Sequence, residues 1–135
     1  MRSLMDFAGE WTIQRVIEDH LGDAGQFQGQ ARLAPDGEGL VYREEGLLTL
    51  ANSTVMQAER TYLWRQEKER IAVFFADGRA FHSFCLQATC AADRHHCDPD
   101  VYDVVYRFDA WPSWSSIWTV KGPRKDYVMQ SDYSR

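Results

Sequence analysis

Hydrophobic positions recur along the chain in short alternating runs separated by polar turns, and no segment keeps a helical period. Residues 10–19 set Trp11 and Ile13 against Thr12 and Gln14. Successive side chains of an extended strand point to opposite faces, so a two-residue period predicts a strand with one buried face. The same pattern predicts strands over 26–33, 40–50, 54–66, 71–75, 79–87, 100–108, 115–121 and 125–133. The breaks carry turn chemistry, at Gly22 to Gly25, Pro35-Asp36-Gly37, Asn52-Ser53, Glu67 to Glu69, Asp77-Gly78, Pro112 and Gly122-Pro123. Asp77-Gly78 is the strongest two-residue hairpin signal, and Gly46 marks a bulge or bend inside the third run. Residues 1–7 predict a turn of helix before the first strand. Residues 88–99 are the longest stretch without a pattern and are the expected lid.

Nine or ten such strand-and-turn units consume nearly all 135 residues, leaving little for a second layer or an inserted module. The predicted fold is therefore all-β, one domain over residues 1–135, with sequential hairpins forming an antiparallel up-and-down barrel or a sandwich. Closing a barrel also removes the sheet edges that invite aggregation.

Composition narrows the function. A chain 44% hydrophobic and 13% aromatic is expected to fold around a core. The longest apolar run, Ile71 to Ala76, has six residues, against about 20 for a membrane-spanning helix. Fifteen basic against twenty acidic residues give a net charge of −5, which does not suit a duplex nucleic acid. Met1 to Asp6 carries one basic residue and no apolar stretch, so no signal peptide is expected. An odd set of cysteines, Cys85, Cys90 and Cys97, reads as reduced thiols in a cytoplasm. Cys97 follows His95 and His96, but the paired Cys-x2-Cys spacing of structural zinc sites is missing, so no metal site is expected.

Alternation also groups the candidate site. Arg60, Tyr62 and Trp64 share one face, as do His82, Phe84 and Leu86. Tyr102, Val104 and Tyr106 share another, and Lys125, Tyr127, Met129, Tyr133 and Arg135 a fourth. With Arg79, His96 and Trp118, the polar and aromatic members of these faces form a candidate ligand-binding set. A barrel of about eight strands encloses packed side chains or one small ligand, and aromatic walls with a few polar groups suit the latter.

Gly9-Glu10-Trp11 opens the first strand with a Gly-x-Trp that resembles the lipocalin and wider calycin superfamily. The resemblance implies that the Trp closes one barrel end and that an Arg from a late strand, here Arg135 or Arg124, packs across it. A second likeness covers nearly the whole chain. Phe74 through His82, His96-Cys97, Asp100-Val101-Tyr102, Tyr106, Trp118 through Tyr127, and Tyr133-Ser134-Arg135 look like a bacterial family of uncharacterised lipocalin-like proteins, a domain of unknown function. That likeness implies the barrel and no established activity.

Three functions fit. The first is a binding barrel for a small, partly apolar ligand, including anions such as a fatty acid. Arg60-Thr61-Tyr62 and Tyr133-Ser134-Arg135 are similar to the Arg-x-Tyr pair with which cytoplasmic fatty-acid-binding barrels hold a carboxylate. A guanidinium fork takes a carboxylate bidentately and a Tyr hydroxyl adds a third donor. The second is haem binding through one His, His82 or His96, as in some lipocalin-like cytoplasmic barrels. The third is an enzyme using His96, Cys97 and Asp100, or Asp77, Arg79, His82 and Lys125. An extended chain points His96 and Cys97 to opposite faces, so no catalytic motif is identified. Arg124-Lys125 is a basic pair at the barrel mouth. Trp111 and Trp114, flanking Pro112, form either an apolar patch for a homodimer or a cap on the barrel end.

Overall fold

The computed structural model describes residues 2–135 and is all-β apart from one 3-10 turn, η1, Leu4–Phe7. The helical turn expected over 1–7 is that element; Met1 lies outside the described residues. The strands are β1 Gly9–Asp19, β2 Gly25–Pro35, β3 Gly39–Leu50, β4 Val55–Glu67 and β5 Arg70–Phe75, followed by β6 Ala80–Cys85, β7 Cys90–Cys97, β8 Asp100–Arg107, β9 Trp114–Lys121 and β10 Asp126–Ser134. Among the described residues no helix is long and apolar enough to cross a membrane.

All ten strands form one antiparallel sheet in the order β6-β5-β4-β3-β2-β1-β10-β9-β8-β7. First and last strands pair, with Ile13 opposite Tyr133. Every consecutive pair is laddered except β6 and β7, so the up-and-down barrel is nearly closed and its seam lies between those two strands. Across the seam the Ser83 amide donates to Asp93 Oδ2 at 2.7 Å and the Phe81 and His95 rings meet edge-on at 5.2 Å, while the Arg2 guanidinium holds the β6–β7 connection through the Leu86 and Ala88 carbonyls.

The barrel is closed at one end and open at the other. The closed end gathers the start of β1, the ends of β4, β6 and β8, and the start of β9. Phe7 is fully buried there, edge-on to Trp64, Phe84, Phe108, Trp111 and Trp114 at 4.9–6.4 Å. Trp11 Nε1 donates to the Phe7 carbonyl at 2.9 Å, tying η1 across the bottom. Aromatic pairs in such edge-to-face contact add to the burial of their large apolar faces. Trp114 is buried and Trp111 half-buried in this plug, so the barrel itself occupies the apolar surface that suggested a dimer.

Arg135 is exposed and sits over Trp11, its guanidinium carbon 3.8 Å from the ring centroid. It donates to the Ala8 carbonyl at 2.8 Å and the Asp6 carbonyl at 2.6 Å. Of the two arginines expected across Trp11, Arg135 fills the role. It is a strap outside the barrel end, which corrects its place in the ligand-binding set.

Residues 88–99 are no lid. Ala91 pairs with Tyr106 and His95 with Tyr102, making β7 a strand at the seam. The Asp77-Gly78 hairpin has a three-residue loop. The Phe75 amide donates to the Arg79 carbonyl and the Gly78 amide to the Phe75 carbonyl, with Gly78 at φ +93°. Only a glycine takes that left-handed angle without cost. Gly46 is no bulge either, because the register runs unbroken through Gly29 opposite Gly46. The two strands approach so closely there that a Cβ on Gly46 would run into the Gln28 carbonyl and Gly29 Cα.

Candidate functional site

Inward-facing positions on all sides of the open end leave a cavity of about 730 Å³. Twelve of the thirteen expected residues line it: all but Arg135. Arg60, Arg79, His96, Lys125 and Tyr127 stand toward the mouth, Tyr62, Tyr102 and Trp118 at middle depth, and Trp64, His82, Tyr106 and Tyr133 toward the closed end.

A buried polar cluster stands on the wall. β1 directs Arg15 inward, in step with buried Trp11 and Ile13, and β3 directs Tyr42 and Glu44 inward, in step with Leu40. Arg15 grips Glu44 bidentately, Nη1 to Oε2 at 2.6 Å and Nη2 to Oε1 at 2.9 Å, and its Nε donates to Ser131 Oγ at 2.6 Å. Tyr42 donates its only hydroxyl proton to Glu44 Oε1 at 2.6 Å. The 2.7 Å contact between the Tyr42 and Tyr133 hydroxyls is therefore donated by Tyr133. The proton order runs Tyr133 to Tyr42 to carboxylate. Burial by itself would raise the Glu44 carboxyl, but the Arg15 bonds and charge outweigh it and hold the group below its ordinary value. Burial would likewise lower Arg15, and Glu44 reverses that. Two charges taken out of water survive because each satisfies the other.

His82, on β6, is buried, and Nε2 lies 2.7 Å from the Tyr106 hydroxyl. Burial pushes its imidazole down to about 3, so it is neutral near pH 7. Burial also raises the Tyr106 phenol and carries the Tyr133 phenol up to about 12, so both stay protonated. Nδ1 of His82 and Nε1 of Trp114 are buried without a partner. His82 thus holds Tyr106 through one ring nitrogen, while the other is shut off from solvent with no hydrogen-bond partner.

The mouth is cationic. Lys125 Nζ donates to the Tyr102 hydroxyl at 2.7 Å and lies 3.2 Å from Asp100 Oδ2, and these contacts raise its ammonium above the ordinary value. Arg79 is held by Asp77 at 2.7 Å. Arg60 differs: its guanidinium donates only to the Glu59 carbonyl, at 3.1 Å, and has no carboxylate partner among the described residues. Arg15 and Glu44 cancel, so the wall's surplus is positive.

Cys85 and Cys90 lie near the closed end and Cys97 near the open one, all three as free thiols. Cys90 and Cys97 stand seven residues apart along β7, about 23 Å at the rise of a strand. Among the described residues no group of three His, Cys, Asp or Glu side chains is placed to hold a metal ion.

Sequence reasoning missed Arg15, Tyr42, Glu44, Phe75, Phe81 and His95, all of which line the cavity. For Arg15 and Glu44 the signal was present, since each falls on the inward beat of its strand. Phe81 gave no such signal, because regular alternation from His82 points it outward.

The chain is thus a nearly closed antiparallel barrel with an aromatic and cationic cavity open at one end. It belongs to a family of unknown function, DUF6314, whose sequence pattern matches residues 7–135. No curated protein sequence matches it significantly. Among solved structures it is similar to the S-type phycobiliprotein lyase from Guillardia theta, with a TM-score of 0.61 at 11% identity, over 96% of this chain and 87% of that one. It is also similar to a protein of unknown function of the DUF3598 family from Nostoc punctiforme, with a TM-score of 0.59 at 10% identity. That match covers 98% of this chain and 48% of the other, so this chain spans about half its length. At these identities the likeness concerns the fold.

Proposed function

We propose that the protein is a calycin-like binding barrel whose cavity takes a small, partly apolar anion, carboxylate toward the mouth and apolar body against the aromatic wall. The observation that carries this reading is Arg60, a guanidinium at the rim of a roughly 730 Å³ cavity with no carboxylate of its own. A cation left without an internal partner beside an apolar bore is matched by a ligand carrying the missing charge. Lys125 and Tyr127 stand near the same rim and add a second cation and a hydroxyl. Three free thiols suit a reducing cytoplasm.

Native mass spectrometry of the freshly purified protein tests this. An adduct that leaves on denaturation, or stoichiometric uptake of added dodecanoate, is the expected result. A bare mass together with no dodecanoate uptake overturns the reading.

A further inference from the structure

Phe81 interrupts the regular pattern of β6. Val73 pairs with His82 and Phe74 with Ala80, so Phe81 is the extra residue of a β-bulge. Without the bulge its ring would point outward, opposite to His82; with it the ring lies in the bore. There it makes three near-parallel stacks: with Trp118 at 5.0 Å and 12°, Phe75 at 4.4 Å and 21°, and Tyr62 at 5.6 Å and 29°. Tyr62 belongs to β4 and Trp118 to β9, two strands in from opposite sides of the seam. Phe81 thus crosses the bore at the seam, joining aromatic surfaces on its two flanks.

Its hold is weaker than theirs. β6 is paired with β5 alone and has no ladder to β7. The ring is half-buried, whereas Trp118 is buried. The bulge also lies directly after the Gly78 hairpin turn.

We propose that Phe81 stands in for a ligand ring, and that Tyr62 and Trp118 are the platforms of a slot for a planar, conjugated carboxylate, which enters as Phe81 swings aside. This rests on the proposed binding function and names its ligand class. A saturated chain gains only apolar contact from parallel ring faces, whereas a flat π-system also keeps the offset stacking that Phe81 gives up. Arg60 lies two residues from Tyr62 on the same strand face, about 7 Å along β4. A carboxylate at the edge of a ring stacked on Tyr62 therefore reaches the free guanidinium.

The test titrates 9-anthracenecarboxylate and dodecanoate calorimetrically into the wild-type protein, Phe81→Leu and Trp118→Leu, with thermal unfolding of each variant as a folding control. The flat acid is expected to bind the wild type more tightly than dodecanoate. Phe81→Leu, which removes the competing ring, is expected to tighten the flat acid by about three- to tenfold and leave dodecanoate within about twofold. Trp118→Leu is expected to abolish the preference, and it carries the test should Phe81→Leu fail to fold. Equal binding of both acids to the wild type, with no divergence in either variant, overturns the slot and leaves the binding function standing. Failure of both acids to bind any folded variant overturns both.

Discussion

Arg15 on β1 and Glu44 on β3 meet across the intervening strand β2 in a bidentate pair of 2.6 and 2.9 Å, inside the barrel and beside its cavity. The pair's side chains are only 11% and 6% exposed. Removing one partner strands a buried charge. Glu44→Ala is expected to cost about 3–5 kcal/mol in urea unfolding. The double variant Arg15→Met, Glu44→Leu is expected to recover most of that loss, because it leaves no charge without a partner. A double variant as unstable as Glu44→Ala would show that Tyr42 and Ser131, not the ion pair, need the polar group.

The buried imidazole sets an acid limit on stability. His82 titrates at about 3 in the folded barrel and near 6.5 when exposed, so between those values the unfolded chain binds the extra proton. Its contribution is complete above about pH 6.5 and falls by up to about 1.4 kcal/mol per pH unit on acidification. Glu44 acts in the same direction lower down: its folded value is depressed, so its contribution is present above the unfolded value and is lost as pH falls through the folded one. Unfolding followed from pH 7 to pH 4 should show stability declining steadily, and His82→Phe should flatten that decline. An equal slope in the variant would assign the acid loss elsewhere.

Where β2 and β3 cross, Gly46 and Gly29 face each other with no room for a methyl group. Gly46→Ala is expected to destabilise by about 2–3 kcal/mol through forced backbone displacement. Ala at Gly37, whose Cβ would meet nothing within 4 Å, strains only the turn at φ +90° and should cost about 1 kcal/mol. Thermal unfolding of the two variants side by side checks the order.

Arg135 straps the closed end and Arg60 guards the open one, so their substitutions should separate. Arg135→Ala loses two hydrogen bonds and the contact over Trp11 and should lower stability by about 1–2 kcal/mol. Its affinity for dodecanoate should match the wild type. A parallel loss of affinity would mean that the two ends of the barrel are coupled.

How far the chain can be read in advance follows from the alternation itself. Nine strands declare themselves because aromatic or aliphatic residues recur at two-residue spacing between turn residues. β7 does not. Its inward positions carry Ala91, Asp93 and His95 beside the seam, so Cys90–Cys97 shows no apolar beat and reads as a loop. Twelve cavity residues were legible because shared strand faces reveal common walls. Arg15 and Glu44 are not legible, because a charge on a strand reads as a solvent position and only the three-dimensional pairing shows the two neutralising each other. Phe81 was illegible for a different reason: the bulge that turns it inward comes from the pairing of β5 with β6, which no local pattern declares.

The central claim is that the cavity holds an anion against Arg60. Calorimetric titration of dodecanoate into the wild-type protein and Arg60→Gln tests it most directly. Binding at one site per chain, weakened about tenfold in Arg60→Gln with the unfolding midpoint unchanged, is the result this account predicts. Equal affinity in the two proteins, or weaker binding accompanied by loss of the fold, would contradict it.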